Sequence, residues 1–198
     1  ILMQMTRSPG VYVLTEKNAD DHDAPIVRIQ PNRGMKIELS AKKHGALIVS
    51  FGKNKKQMLF TSFMSLWGIS HEDIIAHYET VIDLDHWDMG KHVVYLSQDI
   101  MNPETQQPLL PRMTKVTENV LEVLSKHQLQ HSVKVLKDSA LIQSLIEEQS
   151  ASDDDEQDAL IQFQMCFRSN TRNREYARQL HEMMFHQSLN YSLGKSGR

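Results

Sequence analysis

Asp153-Asp154-Asp155-Glu156 is the densest carboxylate cluster in the chain, and clustered carboxylates are what a divalent-metal centre uses. Adjacent side chains in such a run point in different directions, so the segment reads as a solvated acidic stretch. His181 and His186 lie five apart, and His71 and His77 six apart. A helical zinc pair needs a spacing of four to put both rings on one face. The ten histidines show no ligand spacing and read as surface residues. Gly194-Lys195-Ser196 resembles the end of a phosphate loop, but Leu189 stands where the first glycine is required. Cys166, the one cysteine, sits in the apolar run Ile161-Gln162-Phe163-Gln164-Met165-Cys166-Phe167 and reads as buried filler, as do Met58, Met64, Met183 and Met184. None of these patterns predicts a catalytic residue or a metal ligand.

The 198 residues are 40% apolar and 24% charged, ordinary values for a globular protein. A net charge of −3 gives no global electrostatic case for binding nucleic acid, so any such contact must come from a local basic patch. One cysteine excludes an internal disulfide. No apolar run approaches the roughly 18 residues of a membrane span, and no charged start marks a signal peptide. A chain that begins Ile-Leu-Met-Gln-Met and ends Gly-Lys-Ser-Gly-Arg reads as a piece of a longer one.

Strand signals dominate the first quarter: residues 10–14, 26–29, 35–39 and 46–51, with Lys53, Lys55 and Lys56 at a basic hairpin tip. A helix is expected over 57–66. A second begins at Ser70, a good N-cap with Glu72 and Asp73 in the first turn, and runs to Tyr78. Strands are expected at 93–96 and 133–136, with a turn at Asn102-Pro103-Glu104 and a helical stripe through Val116, Val120, Val123 and Leu124. Two helices close the chain, over 158–167 and 173–187. The second should bury Tyr176, Ala177, Leu180, Met183 and Met184. The expected class is α+β, with a β-rich N-terminal part followed by helices.

Several short motifs occur in an order that resembles the lobe domain of the β subunit of bacterial-type multisubunit DNA-directed RNA polymerase. Arg7-Ser8-Pro9-Gly10-Val11-Tyr12-Val13 resembles the family's Arg-Ser-Pro-Gly-Val-Phe-Phe segment, and Pro31-Asn32-Arg33-Gly34 its Pro-x-Arg-Gly turn. Trp67-Gly68-Ile69-Ser70-His71-Glu72-Asp73-Ile74 is similar to a Leu-Gly-Tyr-Ser-x-Glu-Glu-Ile pattern. Asn173-Arg174-Glu175-Tyr176-Ala177-Arg178-Gln179-Leu180 resembles a Thr-Arg-Glu-Ala-Ala-x-x-Leu helix, and residues 191–198 a Tyr-Asp-Leu-x-x-x-Gly-Arg terminus. The departures are Thr6 for a His, Lys36 for a Trp, and Ser169-Asn170 for a Pro-Gly. They imply a divergent member, of the kind a large phage or another fast-evolving polymerase with a split β subunit would carry. The resemblance spans 1–198 as one lobe domain of a longer chain, with a more variable sub-region over 80–150.

What the resemblance implies is a mechanical role. The lobe walls the DNA cleft beside downstream duplex and the non-template strand. The carboxylates that hold Mg²⁺ belong to another subunit, β′, so no cofactor is expected here. Arg7 matches an arginine that lines a pocket for a non-template base. Lys36 takes the place of a stacking Trp and suits phosphate contact better than base recognition. Arg174 and Arg198 match arginines along the same strand path, and Lys53, Lys55 and Lys56 would face downstream duplex. The implied partners are β′-like and other polymerase subunits, DNA and an initiation factor, in the cytoplasm of a bacterial or phage-infected cell, with no membrane. The alternative is a stand-alone module that binds or mimics transcription machinery.

Overall fold

The computed structural model describes residues 8–17, 23–52, 57–88, 91–102, 105–127, 129, 132–150, 158–168, 171–187 and 189–194. Two compact units divide them: Ile1–Gly68 with Gln143–Arg198, and Ile69–Ile142 between. In chain order the first unit begins with β1 (Gly10–Lys17), β2 (Asp23–Gln30), β3 (Ile37–Ala41), β4 (Leu47–Phe51), β5 (Gln57–Leu59) and α1 (Phe60–Ser65). The second holds α2 (His71–Tyr78), β6 (Glu79–Asp83), β7 (Val94–Leu96), β8 (Ile100–Met101), β9 (Pro108–Leu110), α3 (Glu118–Lys126) and β10 (Ser132–Lys137). The division falls within α4 (Ala140–Gln149), and α5 (Ala159–Phe167) and α6 (Arg174–His181) complete the first unit. The class is α+β.

Strands β1 to β5 form an antiparallel meander in which each pairs with its neighbour in sequence. The register aligns two apolar rows across it: Val11, Ile29, Ile37, Phe51, and Val13, Val27, Leu39, Val49, Met58. Helices α1, α5 and α6 cover these rows, with Phe51 fully buried among Phe63, Phe163 and Phe167 at ring separations of 5.8, 5.4 and 5.4 Å. The cover stops short of β1, where Val11 is 63% and Val13 75% exposed.

Three local outcomes differ from the sequence expectation. Residues 57–59 are not helical: Met58 pairs with Val49 and is buried, so sheet pairing overrides local propensity and the helix starts only at Phe60. Helix α4 was not expected, because its inward face carries Ser144 and Glu148 beside Ile142 and Leu145, and the two polar residues interrupt the apolar stripe. Both are satisfied. Ser144 Oγ accepts from Leu47 N at 2.7 Å, and Glu148 accepts from Thr61 Oγ1 and from Ser62 Oγ at 2.7 Å. Finally, α6 continues into a π-helical turn, Glu182–His186, whose five-residue bonding period rotates the stripe. Met183 is exposed while Met184 packs against the core as expected, and His181, the last residue of α6, is buried beside Ala177 and Leu180.

Pro31-Asn32-Arg33-Gly34 is a docking turn. Asn32 N and Arg33 N both donate to Ser192 O, at 2.7 and 3.1 Å, and Ser192 N donates back to Arg33 O at 2.9 Å. Gly34 sits at φ +105°, and a β-carbon there would lie 2.7 Å from both Asn190 O and Tyr191 Cδ2.

In the second unit a three-stranded antiparallel sheet, ordered β6-β10-β7, packs Val135, Val94 and Leu96 with Val120 and Leu124 of α3. The expected cap of α2 is present as a full capping box: Ser70 Oγ accepts from Asp73 N at 3.1 Å, and Ser70 N donates to Asp73 Oδ2 at 2.9 Å. No helix of the described residues is long and apolar enough to cross a membrane.

Candidate nucleic-acid interface

Of the cations assigned to DNA by the resemblance, Arg7, Arg198, Lys53, Lys55 and Lys56 lie outside the described residues. Lys36 and Arg174 lie within them, on opposite faces of the sheet. Lys36 stands just before β3, and its Nζ donates to Glu38 Oε1 at 2.9 Å. Glu38 also accepts from Arg28 Nε, and Arg28 Nη2 reaches Glu16 Oε1 at 3.0 Å. Residues 28 and 38 alternate with the apolar rows, so this Glu16–Arg28–Glu38–Lys36 chain crosses the outer face of the sheet. Burial raises the Glu38 carboxyl pKa, but hydrogen bonds from Lys36 and Arg28 outweigh it and hold the group below its ordinary range. A phosphate at Lys36 must therefore compete with an ionised carboxylate.

Arg174 is the first residue of α6, and the start of that helix is set by a buried amide. Gln164, fully buried on α5, donates from Nε2 to Thr171 O (2.8 Å) and Thr171 Oγ1 (2.9 Å), and its Oε1 accepts from Asn173 N (3.1 Å). Asn173 then caps α6, with Oδ1 accepting from Tyr176 N at 3.1 Å. The Arg174 side chain projects from this anchored turn, 71% exposed, with Nε 3.2 Å from Asp158 Oδ2. Asp158 itself caps α5 by accepting from Leu160 N at 2.9 Å. A cation at the N-terminus of a helix opposes the helix dipole, and the ion pair with Asp158 offsets that cost.

His181 and His186 correct the spacing argument. The π turn brings residues five apart onto one side, and the two rings lie 5.2 Å apart. They pack with Trp67 (5.5 and 5.7 Å) rather than against acidic ligands. Among the described residues no group of three or more His, Cys, Asp or Glu could hold a metal ion. Burial, with a smaller contribution from His186, holds the His181 pKa below the ordinary histidine value. The unfolded chain therefore binds more protons at residue 181 than the folded chain between that lowered value and about 6.5, and stability rises with pH across this window. The urea midpoint is expected to fall as the buffer moves from about pH 7.5 to about pH 5.5. His181→Phe should flatten that dependence. An unchanged slope in the variant would show that residue 181 does not carry it.

Sequence reasoning missed Gln164, which sits in a mostly apolar helix beside a second glutamine, Gln162. It also missed Arg178, which is exposed four residues after Arg174 and shares its side of α6. The i, i+4 spacing was the available signal.

The geometry so far defines an α+β protein with an anchored, exposed arginine on a helix start. No protein-family model matches the chain. It is similar to the DNA-directed RNA polymerase subunit beta of Rhodopirellula baltica, 26% identical over 215 residues that cover 100% of this chain and 17% of that protein. It is also similar to the DNA-directed RNA polymerase subunit beta of Cyanidium caldarium, 27% identical over 125 residues, which are 63% of this chain and 11% of that protein. The chain thus spans less than a fifth of the length of either relative. These matches support a distant relationship to the polymerase β subunit.

Proposed function

We propose that this chain is a non-catalytic part of a β-type subunit of DNA-directed RNA polymerase, and that it walls the DNA cleft beside downstream duplex and the non-template strand. The observation that carries the reading is Arg174, an exposed cation at a helix start fixed by Gln164, within the helix motif that the β-subunit resemblance singles out. Arg7, Arg198 and the Lys53, Lys55, Lys56 tip complete the proposed DNA-facing set, and Lys36 joins it where a phosphate displaces its bond to Glu38. Electrostatic contacts of this kind hold a strand without reading its sequence. In this reading nucleotide addition and Mg²⁺ belong to a β′-like partner, and an initiation factor directs the assembly.

Native purification of the parent chain with mass spectrometry tests the assignment. A β′-like chain bearing Asp-x-Asp-x-Asp is expected to co-purify, and recovery of only unrelated proteins would replace the subunit reading with a free-standing interaction module. Within the assembled enzyme, Arg174→Ala should shorten the lifetime of the open promoter complex about fivefold, the loss of roughly 1 kcal/mol from an exposed contact. A lifetime equal to wild type would remove Arg174 from the DNA path.

A further inference from the structure

We infer that a cleft between the start of α5 and the exposed side of α6 holds a backbone phosphate of single-stranded DNA, with Arg178 as the residue that grips it. The inference rests on the DNA-facing role proposed above and names where on this chain the strand is held. The cleft measures about 550 Å³ and is lined by Ser65, Leu66, Asp158, Arg174, Arg178 and His181, among others. Arg174 and Arg178 lie one helical turn apart, which puts their β-carbons about 5–6 Å from each other.

Their charges are not equivalent. Asp158 faces Arg174 at 3.2 Å and so offsets its charge, while the same carboxylate caps α5 by accepting from Leu160 N. The Arg178 side chain has no ion pair or hydrogen bond with any other described residue, while its backbone carbonyl accepts from Glu182 N. Among the described lining residues the cleft therefore carries one positive charge that no carboxylate offsets, beside a second guanidinium. Two like charges four apart on a helix cost a few tenths of a kcal/mol, and an anion between them converts that repulsion into attraction. The arginine fork also matches the paired oxygens of a phosphate.

The rest of the lining fits a sugar-phosphate better than a bare oxyanion. His181 is 8% exposed, and its lowered pKa leaves the ring uncharged near neutral pH, so it adds no third cation. Its Nε2 is buried with no hydrogen-bond partner among the described residues. Leu66, Ala159 and Leu160 supply apolar wall, and the volume exceeds what one phosphate fills. Arg178 falls on an unspecified position of the helix motif, so the resemblance does not assign it.

The test follows the Arg178 Nε–H resonance of the 198-residue chain by NMR while two probes are added separately, a single-stranded oligodeoxynucleotide of about ten nucleotides and inorganic phosphate. The oligonucleotide is expected to shift the resonance saturably. Arg178→Gln, a change at an exposed position, should weaken oligonucleotide binding about fivefold and lower the salt-dependence slope by about 0.7, one phosphate's worth for a single strand. Arg178→Lys should keep the slope and lose part of the affinity. If the oligonucleotide binds wild type and Arg178→Gln equally, the cleft assignment is overturned while the polymerase reading stands. A response to inorganic phosphate alone would overturn the DNA assignment in favour of a small-anion site. No response to either probe would overturn the site altogether, and the co-purification result would still decide the polymerase reading on its own.

Discussion

Replacing Glu148 by alanine will lower the stability of the first unit by about 3 kcal/mol. Glu148 is 3% exposed, and it accepts hydrogen bonds from Thr61 and Ser62, two hydroxyls that are themselves fully buried. Truncation leaves both buried donors without their acceptor, and each orphaned buried group costs about 1–3 kcal/mol. It also opens a hole between α4 and α1. Glu148→Gln keeps one acceptor oxygen and should cost less, about 1–2 kcal/mol. Urea denaturation followed by Trp67 fluorescence, in a Trp87→Phe background that leaves a single emitter in the first unit, reads the difference. A midpoint for Glu148→Ala within experimental error of wild type would show that the hydroxyls find other acceptors and that the buried carboxylate is not what joins α4 to α1.

Gly34→Ala should cost about 2–3 kcal/mol and act on a different part of the same unit. A φ of +105° lies where a side chain strains the backbone, by about 1–3 kcal/mol. The added methyl would also meet Asn190 O and Tyr191 Cδ2 at 2.7 Å, so the segment 189–194 must move. The Ser192 amide, which donates to Arg33 O, is expected to exchange its hydrogen faster in the variant, while the Val135 amide in the second unit keeps its wild-type rate. Faster exchange throughout the chain would point to global unfolding, and unchanged exchange at Ser192 would show that the turn does not anchor this segment.

The parts of the fold legible in the sequence are those that bury one face and expose the other. Alternation placed β3, and Ser70 and Tyr78 bounded α2 because a hydroxyl-capped start is a local event. What could not be read depends on partners distant in sequence. Helix α4 turns two polar residues inward because Leu47, Thr61 and Ser62 are there to meet them, and nothing near residue 148 announces this. The strand at 57–59 exists because β4 offers an edge. The same holds for the candidate interface. Arg174 was visible as part of a motif, but the amide that aims it, Gln164, is ten positions upstream and acts through a loop. Arg178 offered only its i, i+4 spacing from Arg174, which gains meaning from the cleft beside it. The histidine pair escaped because a spacing of five is uninformative in an α-helix and becomes adjacency only in a π turn.

Among the described residues strand β1 has β2 as its one neighbour in the sheet, and its Val11 and Val13 continue the apolar rows beyond the helices that cover the rest. For anyone handling the isolated polypeptide this is a matter of colloidal behaviour. An outer strand with bare valines templates lateral pairing with another copy. Preparations of the chain by itself are expected to self-associate as they are concentrated, and a charged residue at position 13, away from the cleft beside Arg178, should keep them dispersed for a titration.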